Sequence, residues 1–128
     1  MRALKFRAWI HHNQLLPPVT LEELVVLNAG RGFAEDIFIM QFTGFLDRNG
    51  NEIYYGDIVQ DAGKEGEDSY GLVCTDRESG GYRIAGLETE AFRAIAGRCI
   101  VVGNVFEHRN LHSFLNEADL AEFGTDSP

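Results

Sequence analysis

Apolar and polar positions alternate from residue 3 to residue 10. A period of two is that of a β-strand with one face buried. The pattern therefore predicts a half-buried first strand. Its two faces would carry Leu4, Phe6, Ala8 and Ile10 on one side and Lys5, Arg7 and Trp9 on the other.

The centre of the chain predicts a β-hairpin. Residues 37–43 are rich in β-branched and aromatic side chains, which favour a buried strand. Asp47-Arg-Asn-Gly50 follows, and Asn-Gly is a strong hairpin signal because both residues tolerate the positive φ of such turns. A returning strand is expected over residues 52–60. Gly56-Asp57 should interrupt it with a bulge or bend, since a missing Cβ lets the backbone turn.

Between the predicted first strand and the predicted hairpin, the pattern supports two interpretations. A loop should end at Pro17-Pro18, and Thr20-Leu-Glu-Glu23 has the spacing of a helix capping box. A short helix to about Asn28 is the first prediction. A strand over residues 24–27 is the alternative, because Val-Val favours strands.

The second half of the chain predicts more strands and one terminal helix. A charged surface loop is expected over residues 61–68, and strands over 70–75, 82–87 and 99–106, the last with a kink or a close backbone approach at Gly103. Residues 88–97 give no clear pattern. From residue 110 the apolar period becomes helical, which predicts an amphipathic helix that covers the sheet and ends at Gly124.

These elements predict one mainly β (α+β) domain over residues 1–124, with a disordered tail over 125–128. The chain has 128 residues, of which 45% are hydrophobic, which suffices for an ordinary core. Its two cysteines, Cys74 and Cys99, lie in apolar strands and are expected to be buried, inert thiols. We find no segment suited to a signal peptide or a membrane span, so the expected location is the cytoplasm.

The charge balance argues against nucleic acid and anionic lipid as partners. Lys and Arg total 11 against 20 Asp and Glu, a net charge of −9. A local basic strip of Arg2, Lys5 and Arg7 could still bind nucleic acid, although a solvated strand face explains it more simply. An acidic protein that imitates DNA is a weaker alternative, because much of the acidity falls in predicted loops.

Three segments of the chain resemble the YopX-like family of phage and prophage proteins. They are Lys5-Phe-Arg-Ala-Trp9, Gln41-Phe-Thr-Gly-Phe-Leu-Asp-Arg-Asn-Gly-Asn-Glu-Ile-Tyr-Tyr-Gly-Asp-Ile-Val59 and Val102-Gly-Asn-Val-Phe-Glu107. The resemblance implies a small phage-encoded protein with an SH3-like barrel or twisted antiparallel sheet, an N-terminal strand extension and a C-terminal helix. It implies the host cytoplasm and is compatible with a homo-oligomer, but it implies no activity.

The chain departs from the family's pattern at three points. Ile10 stands where an acidic residue is usual, and Tyr55 where a charged one is usual. The segment His108-Arg-Asn-Leu111 lacks the proline common there, so the entry to the last helix should differ.

No stretch of the chain predicts a catalytic, cofactor or metal site. His108 and His112 are four residues apart, but Arg109 would oppose a metal ion, and His11-His12 falls in a predicted loop. Gly30-Arg-Gly32 begins a dinucleotide fingerprint without its third glycine and before a strand. Glu52 and Asp57 could form a carboxylate pair only if Gly56 made a bulge, and an Asx-type turn explains Asp57 more simply.

The leading hypothesis is therefore a non-enzymatic interaction module that binds a protein partner or itself. Trp9, Tyr54, Tyr55 and Asp57 form the candidate interaction surface, because amphipathic aromatics are enriched at interfaces. Core packing explains one or two of these aromatics equally well. The alternatives are nucleic-acid binding through the basic strip and an enzyme whose active residues converge from distant positions.

Overall fold

The computed structural model describes residues 5–10, 14–15, 18–20, 22–23, 37–87 and 91–123. Within these residues, nine strands form two antiparallel sheets. The strands are β1 (Lys5–Ile10), β2 (Gln14–Leu15), β3 (Val19–Thr20), β4 (Ile37–Leu46), β5 (Glu52–Tyr54), β6 (Asp57–Asp61), β7 (Tyr70–Thr75), β8 (Tyr82–Ala85) and β9 (Cys99–Asn104).

The first sheet has five strands in the order β2-β1-β4-β5, with β3 also paired to β1. The predicted first strand is confirmed, and it pairs with the first half of β4 from Ile37 to Gln41. At the predicted capping box, the Glu23 amide donates to Thr20 Oγ1 at 3.2 Å, and the Thr20 hydroxyl donates to Glu23 Oε1 at 3.2 Å. The helix expected up to Asn28 lies outside the described residues.

The predicted hairpin joins β4 to β5, and its turn is organised by a buried carboxylate. Asp47 Oδ1 accepts hydrogen bonds from the amides of Asn49 and Asn51, both at 2.8 Å. Burial raises the pKa of Asp47, but its backbone hydrogen bonds outweigh burial and hold that pKa below its usual value. Gly50 takes the positive φ of 85° that the Asn-Gly pair predicted.

The single returning strand predicted over residues 52–60 is divided into two strands, β5 and β6, which lie in different sheets. Gly56 has a φ of 91° and makes a sharp corner between them, at the position where the sequence predicts a bend. We call residues 54–57 the corner. A single residue with a positive φ thus redirects the chain from the first sheet into the second.

The second sheet has four strands in the order β8-β7-β6-β9. The predicted strand over 70–75 is confirmed in full, and the strands predicted over 82–87 and 99–106 are shorter by two residues each. Gly103 allows the close approach predicted for it, since a Cβ there would lie 2.6 Å from the His108 ring.

The terminal helix is broken, which corrects the prediction of one continuous amphipathic helix. A 3₁₀ helix over Arg109–Phe114 is followed by an α-helix over Glu117–Leu120 and a 3₁₀ helix over Ala121–Phe123. Asn116 interrupts the run because its side chain accepts from the Ala118 amide at 2.8 Å and so starts a new helix. The segment still covers the sheet, with Leu120 and Phe123 buried.

The second sheet is buried on both faces. Successive residues of β6 enter different core clusters, Val59 on one face and Ile58 on the other. The helix Phe92–Ala96, in the stretch without a clear sequence pattern, packs on the Val59 face through Ile95. The terminal segment packs on the Ile58 face.

The mainly β fold is as predicted. Between the described strands the two sheets do not close into a barrel, so the open antiparallel form of the prediction fits this chain. None of the described helices has the length and apolar character needed to cross a membrane. The predicted tail over 125–128 lies outside the described residues.

Candidate interaction surface

Two of the four residues predicted to form the interaction surface are in the interior, which corrects that prediction. Tyr54 is 2% exposed and Asp57 is fully buried. Both belong to the corner, where the chain enters the second sheet and is covered on all sides. Their side chains therefore contact the protein itself and leave no surface for a partner.

Asp57 holds the corner together. Its Oδ2 accepts from the Tyr54 amide at 2.7 Å, and its Oδ1 forms an ion pair with Arg7 Nη2 from β1. The Tyr54 bond runs back three residues, so it replaces the Asx-type turn predicted for Asp57. Burial raises the pKa of Asp57 to about 6, although Arg7 and the Tyr54 amide act in the opposite direction.

Arg7 is itself mostly enclosed. Its side chain is 14% exposed, and its guanidinium lies over the Tyr54 ring, 4.2 Å from the centroid. Arg7 Nε is buried and lacks a hydrogen-bond partner among the described atoms. Arg7 is thus a structural cation, and its charge is balanced by Asp57.

A second ion pair lies next to the first. Lys5 Nζ contacts Glu52 Oε2 at 2.6 Å, and Tyr54 donates its hydroxyl to Glu52 Oε1 at 2.9 Å. The hydrogen bond from Lys5 is the main cause that lowers the pKa of Glu52. The predicted basic strip therefore loses two of its three cations to internal pairs, and Arg2 lies outside the described residues. Glu52 and Asp57 each have a cation of their own, which suits a structural role.

Trp9 and Tyr55 are half-buried in an aromatic cluster. The Trp9 ring stacks on Phe106 with centroids 6.0 Å apart. Tyr55 packs on Phe123 at 4.7 Å and donates its hydroxyl to Glu122 Oε2 at 2.6 Å. Burial is the main cause that raises the pKa of Tyr55. Tyr55 thus connects the terminal segment, residues 109–123, to the corner.

The three segments that carry the family resemblance converge on this corner. Asp57 on β6 lies opposite Asn104 on β9, and the Val105 amide donates to the Gly56 carbonyl at 2.9 Å. The first segment enters through Arg7, which reaches Asp57. The recognisable motif residues therefore build the junction between the two sheets.

His108 and His112 bond to the backbone, and the two cysteines are buried. His108 Nδ1 accepts from the Asn104 amide at 3.0 Å, and His112 Nε2 lies 2.7 Å from the Val105 carbonyl. Among the described residues no group of His, Cys, Asp and Glu could hold a metal ion, and His11-His12 lies outside them. Cys74 and Cys99 are buried as predicted, and burial raises the pKa of Cys99 to about 11.

A groove that the sequence did not predict lies between the two sheets. It has a volume of about 710 Å³. Four half-buried aromatic side chains line it, namely Phe42, Phe45, Tyr82 and Phe92. We call it the aromatic groove. The rings support one another, since Phe45 meets Phe92 edge-on at 5.2 Å and Tyr82 lies 6.3 Å from Phe92.

The rim of the aromatic groove is polar. The Tyr82 hydroxyl, from β8, donates to Gln41 Oε1, on β4, at 2.8 Å and so links the two sheets at the groove. Asp76 lines one side, and a hydrogen bond from Ser79 is the main cause that lowers its pKa. Exposed Ala91 and Arg93 line the other side. No local sequence signal brings these residues together, because Phe92 falls in the stretch that had no clear pattern.

Comparison with solved structures supports the fold. The crystal structure of protein EF1440 from Enterococcus faecalis matches with a TM-score of 0.57 over 84% of this chain and 96% of that chain. The two sequences are 19% identical, so the likeness concerns the fold alone. No curated protein matches the chain. Comparison with family models matches the YopX protein family over residues 5–111, and the chain therefore belongs to that family.

Proposed function

We propose that this chain is a non-enzymatic interaction module that binds a protein partner in the aromatic groove. The groove is the observation that carries the proposal, because it gathers four half-buried rings from both sheets and a helix beneath an accessible opening. Aromatic side chains with polar neighbours are the usual anchors of protein interfaces.

The charged groups of the interior support a structural role for the rest of the molecule. Asp57 has the most strongly raised pKa of the described carboxyl groups, and it is enclosed by Arg7 and Tyr54. Cys99 has a raised pKa and is fully buried. A nucleophile or general base has to reach its substrate, and these groups contact only the protein.

The net charge of −9 favours a basic partner. With this function we keep two expectations that follow from the family resemblance: a phage origin and action in the host cytoplasm. Self-association through the same groove is the competing form of the proposal.

Photo-crosslinking tests the proposal in cells that produce the full chain. A photoreactive phenylalanine analogue would replace Arg93, which lines the groove, or Arg109, which is exposed elsewhere. We expect a defined protein adduct from position 93 and none of the same mass from position 109. The groove-filling substitution Ala91→Trp should abolish that adduct. Identical adducts from both positions would contradict the proposal.

The non-enzymatic part has a test of its own. The purified chain would be screened against general hydrolase substrates, beside a variant with Asp57→Asn. No turnover above buffer is expected from either protein. Turnover by the unmodified chain that the variant lacks would assign a reaction to the corner and contradict this part of the proposal.

A further inference from the structure

We propose that Asn49 is a site of spontaneous covalent modification, where deamidation of the Asn49-Gly50 pair loosens the turn between β4 and β5. Asparagine is one of the chemically labile residues of proteins. Both residues of the pair are exposed at the tip of this turn. The reaction needs water and no partner, and none of residues 47–51 lines the aromatic groove.

The reaction has two steps in which every atom is accounted for. Solvent removes the proton of the Gly50 amide, and the nitrogen attacks Cγ of the Asn49 side chain. A C–N bond forms, the side-chain nitrogen takes a proton from solvent and leaves as ammonia, and a five-membered succinimide ring results. One water molecule then opens the ring at either carbonyl, which gives aspartate or isoaspartate. No electrons are transferred, so the reaction needs no oxidant or reductant.

The turn leaves the two reacting groups accessible. Gly50 has no Cβ, and apart from its chain neighbours no atom lies within 4 Å of the place where a Cβ would stand. The side-chain amide of Asn49 makes no hydrogen bond to any residue that the structure describes. The attacking nitrogen is therefore unshielded, and the side chain can rotate towards it.

Asn51 lies in the same turn and is also exposed, but it differs in both respects. Its Nδ2 donates to Asp47 Oδ2 at 3.5 Å. The next residue is Glu52, which has a Cβ and a side chain held by Lys5 at 2.6 Å. The nitrogen that would have to attack Asn51 is therefore flanked by a side chain, and Asn51 serves as an internal control.

The hydrogen bonds of the turn restrain the reaction at Asn49. The Gly50 amide donates to the Asp47 carbonyl at 3.1 Å, and this bond has to break before the nitrogen can attack. The Asp47 carboxylate holds the turn in shape, because it accepts from the amides of Asn49 and Asn51 at 2.8 Å. Asp47 is therefore a positioning residue that slows the reaction in the folded chain.

The isoaspartate product is incompatible with this turn. Its main chain runs through Cβ, so the backbone becomes longer by one atom. Two bonds close the turn, from the Asp47 amide to the Asn51 carbonyl and from the Asn51 amide to Asp47 Oδ1, both at 2.8 Å. A longer backbone cannot keep both. Asp47 Oδ2 also accepts from the Val101 amide at 2.9 Å, so the contact with β9 should loosen as well.

Ageing of the purified full chain at mildly alkaline pH tests the site. Peptide mass spectrometry locates each conversion of amide to acid, and labelling by isoaspartyl methyltransferase detects isoaspartate. Asn49 should react roughly tenfold faster than Asn51, which corresponds to a difference of about 1.4 kcal/mol in activation free energy. Asn49→Gln, which moves the amide one methylene away, should abolish the early methyltransferase signal. Equal rates at Asn49 and Asn51 would overturn the proposal.

A second comparison tests the restraint by Asp47. Asp47→Ser should raise the rate at Asn49 severalfold in a chain whose near-ultraviolet circular dichroism shows that it is folded. Asp76→Ser is the matched control, because Asp76 accepts from the Glu78 amide in another turn. If Asp47→Ser does not fold, the unmodified chain in urea replaces it and should react faster than in buffer. An unchanged rate would overturn the role of Asp47.

Hydrogen exchange measures the structural consequence. In the aged chain, the amides of Asn51 and Val101 should exchange faster than in the fresh chain, and the midpoint of thermal unfolding should fall. Asn49→Gln aged in the same way should show neither change. An aged chain that contains isoaspartate at position 49 but keeps the exchange rates of the fresh chain would overturn the loosening of the turn.

Discussion

The corner and the aromatic groove differ in how their polar and aromatic groups are used. At the corner, Arg7, Tyr54 and Asp57 bind one another and leave almost nothing exposed. In the groove, the rings of Phe42 and Tyr82 are half-buried beside an open cleft. The comparison teaches that the most recognisable residues of this chain build its architecture, whereas the proposed binding surface draws partly on residues outside the motif.

Removing the central carboxylate of the corner should have the largest effect. Asp57→Ala would leave Arg7 buried without a counter-ion and the Tyr54 amide without an acceptor. Loss of one partner from a buried pair costs about 3–5 kcal/mol. Urea unfolding should report a loss of that size, while Asp76→Ala, at a half-buried surface turn, should lose much less. Equal losses would mean that the corner is no more important than the surface.

Adding one methyl group at the corner should have the next largest effect. Gly56→Ala would force a residue with a Cβ to a φ of 91° and place that Cβ 3.2 Å from Met40 Cε. Backbone strain and crowding together should destabilise the fold by about 2–3 kcal/mol. Gly50→Ala is the matched control, because Gly50 has a φ of 85° but no atom within 4 Å of the added Cβ. Similar losses for both would show that crowding contributes nothing.

Protonation of the corner should give a smaller effect with a definite sign. Burial raises the pKa of Asp57 from 3.8 to about 6, so the folded state binds a proton more tightly than the unfolded state. The stability that this group contributes is fully present below 3.8 and is lost as the pH rises through about 6. Between pH 7 and pH 5 the free energy of unfolding should therefore increase by about 1 kcal/mol.

The pH dependence of the free energy of unfolding has to be compared with that of the variant Asp57→Asn, which cannot titrate at this position. The carboxyls of Asp47, Glu52 and Asp61 have lowered pKa values, so their contributions are lost only at lower pH. Equal slopes for the two proteins between pH 5 and pH 7 would contradict the assignment to Asp57.

Filling the groove should have the smallest effect on folding. Ala91 is exposed, so Ala91→Trp should change the free energy of unfolding by no more than about 0.5 kcal/mol while it blocks the groove. Thermal unfolding beside Ala94→Trp checks this expectation. A large loss of stability in Ala91→Trp alone would mean that the groove is part of the packed structure.

Local patterns predicted the strands well. β1 and β7 follow from periodicity and composition, and the hairpin follows from Asn49-Gly50, because these signals act between near neighbours in sequence. The position of the bend at Gly56 was also foreseen. The sequence does not predict that the bend transfers the chain to another sheet, because sheet membership depends on pairing with distant strands.

Long-range contacts account for what the sequence could not predict. Arg7 and Asp57 are 50 residues apart, so neither periodicity nor spacing indicates that they form a buried pair. The terminal helix was predicted as continuous because its apolar spacing is helical, while the capping preference of Asn116 divides it. The aromatic groove needs Phe42 from one sheet and Phe92 from a helix, and tertiary packing alone unites them.

The Asp47 turn also affects how the protein avoids aggregation. β9 is an outer strand with the apolar sequence Cys-Ile-Val-Val. A strand of this kind can template fibrils when its outer edge is unpaired. The turn blocks it, since the Arg48 amide donates to the Cys99 carbonyl at 2.8 Å and Asp47 Oδ2 accepts from the Val101 amide at 2.9 Å. The sheet is thus protected against edge-to-edge stacking at β9.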